Sequence, residues 1–351
     1  MYNILVVDDS ALMRKFMCDI INKIDGYHVS DVCADGETAY LYMKQKKYSA
    51  VTMSMSMPTY DGISILTKLK EDGVHVPVIA ISSSIREDRA LALQAMELGA
   101  VDFVLRPLKV GGPDMESFGR NLAEILESAV LGKPRKYSIP KSNIANEIPP
   151  ATAPIRKPKY DIIALASSTG GPQALQTLIP MLPERIGVPI VIVQHMPNGF
   201  TASLAERIDH RSKLTVVEAK KGDIIRPDTV YIAKGGHQLR IAESSKGVFT
   251  TNVTNEPPVN NLRPCADVMY ESLINCSFNK ILCVVLTGMG SDGANGISEL
   301  KKKKRIRVIS QNEESSVVFG MPKAVKEKGL SDVVCDIKEM AKVIAKELGV
   351  L

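Results

Sequence analysis

Short apolar runs alternate with longer stretches of mixed polarity along most of this chain. Ile4-Leu5-Val6-Val7, His28 to Val32, Ala50-Val51-Thr52-Met53, Val78-Ile79-Ala80-Ile81 and Val101 to Val104 read as strands. Between the first two, Ala11 to Ile24 carries apolar residues at helical spacing, with Ser10 placed to cap it. From Tyr160 the rhythm returns, with strands expected at Ile162 to Ala166, Pro189 to Val193, Thr215 to Val217 and Ile281 to Leu286. A more β-rich stretch runs from Thr229 to Ile241. Strands that alternate with helices imply parallel sheets with helices on both faces. The expected fold class is α/β, with two doubly wound parallel-sheet domains.

Between Gly132 and Lys159 the pattern vanishes. Prolines 134, 140, 149, 150, 154 and 158 sit among lysines, serines and asparagines, the composition of a semi-extended linker. The expected organisation is a domain at 1–130, a linker at 131–158 and a second domain at 159–351.

Composition narrows the class. A length of 351 residues suits two or three domains. No run approaches the roughly 20 apolar residues of a membrane span, so no membrane insertion is expected. The sequence enters a strand at once, so no signal peptide is expected. The six cysteines are scattered without a Cys-x-x-Cys pair, which argues for reduced thiols and a cytoplasmic location. A net charge of +5, much of it in Lys301 to Arg305 and the linker, with few aromatics and no tryptophan, does not indicate a nucleic-acid partner.

The candidate chemistry lies at three strand ends. Ser168-Thr169-Gly170-Gly171-Pro172 follows the apolar run Ile162 to Ala166. The glycines permit a sharp turn and leave amides at a helix N-terminus, and proline suits the first helical turn. This displays a serine hydroxyl, although an ordinary strand-to-helix turn looks the same. His195, in Gln194-His195-Met196-Pro197, ends another parallel strand and so faces the crevice side of a sheet. It is favoured as a base over His210 and His237, which lie in a polar helix end and a turn. Asp292 ends Thr287-Gly288-Met289-Gly290-Ser291-Asp292; it reads either as an orienting carboxylate or as a helix cap before Gly293-Ala294.

These segments, with Pro257-Pro258-Val259-Asn260, Gln311-Asn312-Glu313 and Val318 to Pro322, resemble in order the catalytic domain of the chemotaxis protein-glutamate methylesterase family. The resemblance implies a Rossmann-like esterase domain with Ser168 as nucleophile, His195 as general base and Asp292 as its orienting carboxylate. It implies hydrolysis of γ-glutamyl methyl esters on chemoreceptors, deamidation of receptor glutamines and no cofactor for catalysis. Amides at Gly170 and Gly171, or at Met289, are the candidate oxyanion donors. The chain departs from the family pattern at Ala166-Ser167, where Gly-Ala is common, at Leu262, and at the basic run Lys301 to Arg305.

The first domain resembles a response-regulator receiver, a flavodoxin-like fold. Asp8 and Asp9 match its acidic pair, Ser82 its hydroxyl residue, and Met57-Pro58, Asp61-Gly62 and Gly99 to Phe103 its remaining motifs. Two carboxylates at a strand end are a weak Mg²⁺ candidate, or simply an acidic first helical turn. Ser54 stands where a receiver carries its phosphoacceptor aspartate, and Arg106 where a lysine is usual. A serine hydroxyl forms no acyl phosphate and gives a metal no charge. The expectation is a receiver that is not phosphorylated in the usual way. The family's unphosphorylated receiver covers the esterase cleft, so basal activity is expected to be low. The resemblance also implies a chemotaxis histidine kinase as docking partner. Two other readings are a catalytically weak signalling scaffold and a general carboxylesterase.

Overall fold

A computed structural model of the protein describes residues 1–83, 86–107, 114–131 and 158–350. The chain divides into two compact units, with the division at Pro140/Lys141. Nearly all of the expected linker lies outside the described residues.

The first unit contains β1 (Tyr2–Val7), α1 (Ala11–Ile21), β2 (Tyr27–Cys33), α2 (Gly36–Gln45), β3 (Ala50–Ser54), α3 (Gly62–Glu71), β4 (Val78–Ser82), α4 (Arg86–Leu98), β5 (Asp102–Leu105) and α5 (Asp114–Leu131). Its five strands run parallel in the order β2-β1-β3-β4-β5. β3 and β4 are buried along their whole length, as expected for central strands covered on both faces. Ser10 caps α1 by accepting the Met13 N–H. The strand order reverses beside β1, so the crevice beyond its C-terminal end and that of β3 is where such a sheet places a site. Asp8 and Ser54 stand there.

The second unit adds β6 (Ile162–Ser167), α6 (Gly171–Leu178), β7 (Ile190–Gln194), α7 (Phe200–Asp209), β8 (Thr215–Glu218), β9 (Thr229–Ile232), β10 (Gln238–Glu243), β11 (Phe249–Thr254), α8 (Ala266–Ile274), β12 (Lys280–Val285), α9 (Ala294–Lys303), β13 (Arg305–Gln311), α10 (Met321–Glu327), β14 (Val333–Cys335) and α11 (Ile337–Leu348). A seven-stranded parallel sheet has the order β14-β13-β12-β6-β7-β9-β8. β10 and β11 pair antiparallel beside it. The apolar faces of β6, β7 and β12 join α8, α9 and this hairpin in one core around the fully buried Tyr270.

The basic run is a helix end only in part. Lys301 to Lys303 form the last turn of α9, where cations favour the C-terminal dipole, and Arg305 already opens β13. Charged residues at the start of β13 hide its apolar content from a pattern search.

Candidate active site

β6 sits at the centre of the larger sheet, flanked by β7 and β12, and the chain leaves all three at the same edge. This topology brings Ser168, His195 and Asp292 to one crevice. The strand ends are tied by backbone bonds: the His195 N–H donates to Ser167 O (3.1 Å) and the Ser168 N–H to Thr287 O (3.0 Å).

The two adjacent serines have different environments. Ser167 is fully buried, and its hydroxyl donates to Gln194 Oε1 at 2.7 Å. Ser168 is only partly buried. Of the pair, Ser168 alone retains accessible surface beyond the end of β6.

His195 Nε2 meets Asp292 Oδ2 at 2.7 Å, with the imidazole 12 % and the carboxylate 3 % exposed. With Nε2–H donating to the carboxylate, Nδ1 is the nitrogen left to accept a proton. Among the described residues the Ser168 hydroxyl makes no hydrogen bond to the ring; in unliganded hydrolases this contact often tightens only when substrate binds. His210 instead ends α7, its N–H on Glu206 O, and the His237 ring lies against Gly235 O.

Asp292 is more than a partner of His195. Oδ2 also accepts the Ala266 N–H (2.6 Å), while Oδ1 accepts the N–H groups of Asp267 (3.0 Å) and Gly293 (2.9 Å) and the Cys265 thiol (3.2 Å). The carboxylate therefore closes the N-terminus of α8, where orphan amides and the helix dipole favour an anion. Burial alone would raise its pKa, but the His195 ring and the Ala266 and Asp267 amides more than offset this and hold it below the ordinary value. The cap reading of Asp292 needs correction: α9 is capped by Gly293, and the Asp292 side chain caps α8 instead. The Cys265 thiol is pushed up to about 12 by burial and by the Asp292 charge, so it stays protonated and able to donate.

The oxyanion candidates separate. Gly171 fails, because its N–H already donates to Ser168 O at 2.6 Å. Gly170 precedes α6 with φ +74°, and its N–H has no partner among the described residues. Sequence reasoning missed Cys265, Ala266 and Asp267 and the role of Gln194; only the Gln194-His195 adjacency hinted at the last.

Known proteins resemble both units of this chain. Residues 163–344 match the CheB methylesterase family model, and residues 4–111 match the response regulator receiver domain model. A protein-glutamate methylesterase/protein-glutamine glutaminase from Desulfotalea psychrophila is 36% identical over 97% of both chains. The chain belongs to the CheB methylesterase family. A Bacillus subtilis relative of the same description is 34% identical over 97% of both chains. The crystal structure of the Thermotoga maritima CheB methylesterase catalytic domain, 40% identical, covers 53% of this chain and 98% of its own, with a TM-score of 0.51.

In the receiver of this CheB-family chain the acidic site is closely hydrogen-bonded. Asp8 is buried; its Oδ1 accepts the Ser10 N–H (2.9 Å) and its Oδ2 accepts Arg106 Nη2 (2.7 Å). The same Nη2 donates to Ser54 Oγ at 2.6 Å, and Ser54 is fully buried. Arg14 donates to the backbone oxygens of Asp8 (2.7 Å) and Asp9 (3.0 Å), and Asp9 is exposed. The Ser82 hydroxyl donates to Asp88 O at 3.0 Å. Burial raises the Asp8 pKa by more than Arg106 and the Ser10 amide lower it. These residues do not fit a divalent cation. One Asp8 oxygen is paired with a guanidinium, Ser54 adds no charge, and among the described residues no three His, Cys, Asp or Glu side chains gather around one point.

Proposed function

We propose that this protein is a protein-glutamate methylesterase and protein-glutamine glutaminase acting on chemoreceptors, with Ser168, His195 and Asp292 as its triad. The observation that carries this reading is the 2.7 Å His195–Asp292 bond at the strand edge that also displays Ser168. Ser168 Oγ attacks the γ-carbonyl carbon of a methylated glutamate while His195 Nδ1 takes its proton. The Gly170 N–H faces the developing oxyanion. Collapse breaks the ester C–O bond, and the proton on His195 leaves with methanol; for a glutamine substrate it leaves with ammonia. Water then attacks the acyl carbon as His195 takes its proton; the bond from the acyl carbon to Ser168 Oγ breaks, Oγ takes the proton back from His195, and glutamate is released.

No helix among the described residues is long and apolar enough to cross a membrane, which suits an enzyme that approaches membrane receptors from solution. The test is methanol release from methyl-labelled chemoreceptor membranes. Release by this chain supports the reading; none, even from residues 159–351 alone, moves the weight to a signalling scaffold.

The receiver is read as one that does not take up phosphate, with the chemotaxis histidine kinase as a docking partner at most. Incubation with acetyl phosphate and Mg²⁺ is expected to leave the mass of the protein unchanged. Gain of one phosphoryl group on residues 1–130 would sink this reading. Removing residues 1 to about 150 is expected to raise specific esterase activity, and equal activity of the fragment and the full chain would count against receiver control.

A further inference from the structure

Gln194 closes β7, is 1 % exposed, and has every polar atom of its side chain engaged. Nε2 donates to Ser168 O at 3.0 Å and to His195 O at 3.1 Å. Oε1 accepts the Ser167 hydroxyl at 2.7 Å. One amide thus holds the peptide units of both residues read as nucleophile and base. Its orientation is fixed by chemistry: turned over, Oε1 would face two carbonyl oxygens. Gly171 completes the contact. A Cβ there would lie 2.0 Å from Gln194 Oε1, so only glycine admits the amide at this depth.

We infer that Gln194 is a positioning residue for the esterase reaction, aligning Ser168 with His195 through their backbones, and that Ser167 sets the amide's orientation. The inference rests on the triad reading above. Reacting groups held at the edge of bonding distance lose rate steeply with small displacements. The loss therefore belongs in kcat, because the amide faces the interior and not the substrate.

The test is steady-state methanol release by the full chain carrying Gln194→Met, Ser167→Ala, both, or Ser168→Ala, with a thermal melt of each. Gln194→Met keeps the apolar length and deletes all three bonds. It is expected to lower kcat about tenfold or more with KM within about twofold. Ser167→Ala is expected to lower kcat about threefold, and the pair to be no worse than Gln194→Met alone, since both remove one bridge. An unchanged kcat in Gln194→Met, a change confined to KM, or additive losses in the pair overturns the inference. Where Gln194→Met does not fold, the isosteric Gln194→Glu carries the test, because it still accepts from Ser167 but cannot hold both carbonyls; an unchanged kcat there overturns it equally. Activity retained by Ser168→Ala would defeat the triad reading instead.

Discussion

Ser168→Ala is expected to abolish methanol release from methylated receptors, by on the order of a millionfold in kcat as in other serine triads. The size follows from the chemistry. Without Oγ there is no acyl-enzyme, and His195 and Asp292 are left with no nucleophile to activate. The fold is expected to survive, because Ser168 is held through its backbone: N–H to Thr287 O, and C=O to the Gly171 N–H and the Gln194 amide. A melting curve unchanged from the parent, beside a dead enzyme, is the expected pair of results. If the neighbouring Ser167 were the nucleophile, Ser168→Ala would remain active and Ser167→Ala would be the dead variant.

Asp292→Asn is expected to cost about ten-thousandfold in kcat and to destabilise the domain as well. The carboxylate accepts from His195, Ala266, Asp267, Gly293 and Cys265. An asparagine has one acceptor oxygen, so its NH₂ must face donors that the carboxylate now satisfies. Turned toward His195, the NH₂ donates to Nε2 and drives the ring proton to Nδ1, which is the wrong tautomer for a base. Turned the other way, it leaves the Asp267 and Gly293 amides without their acceptor, at about 1–3 kcal/mol each. The pH dependence has a definite sign. The folded pKa of Asp292 lies below the ordinary 3.8, so its contribution is present above that value and is lost as pH falls through the depressed folded pKa. The stability gap between the parent and Asp292→Asn is therefore expected to be widest near neutrality and to narrow below about pH 4. Thermal melts across that range read it directly; a gap that widens on acidification would contradict the assignment.

Much of this was legible in the chain, for a physical reason. Strands covered on both faces are continuous apolar runs, and parallel sheets place function where those runs end, so Ser168, His195 and Asp292 could each be sought in the short segment that follows a run. What the sequence did not show is contact between distant segments. The Cys265, Ala266 and Asp267 donors to Asp292 lie at the start of α8, some 26 residues earlier in the chain, and no local pattern links them. Register before Thr169-Gly170-Gly171 already pointed to Ser168 over Ser167, whereas the full burial of Ser167 is a property of the packed sheet. The Gly171 amide looked available because the turn that returns it to Ser168 O is a matter of backbone geometry. β13 was missed because arginines alternate with its first apolar residues. In the receiver, the identities of Ser54 and Arg106 were plain, whereas the joint hold of one guanidinium nitrogen on Asp8 and Ser54 was not.

That guanidinium also bears on signalling logic. Asp8 already has its counter-ion built into the polypeptide, at a fixed stoichiometry and independent of cellular magnesium or phosphodonor supply. On the proposed reading that Ser54 takes up no phosphate, such a module carries no covalent memory of upstream kinase flux. Adaptation driven by this esterase would then be set by how much of it is made and where it is tethered: a gain control fixed at synthesis, in place of one adjusted from second to second.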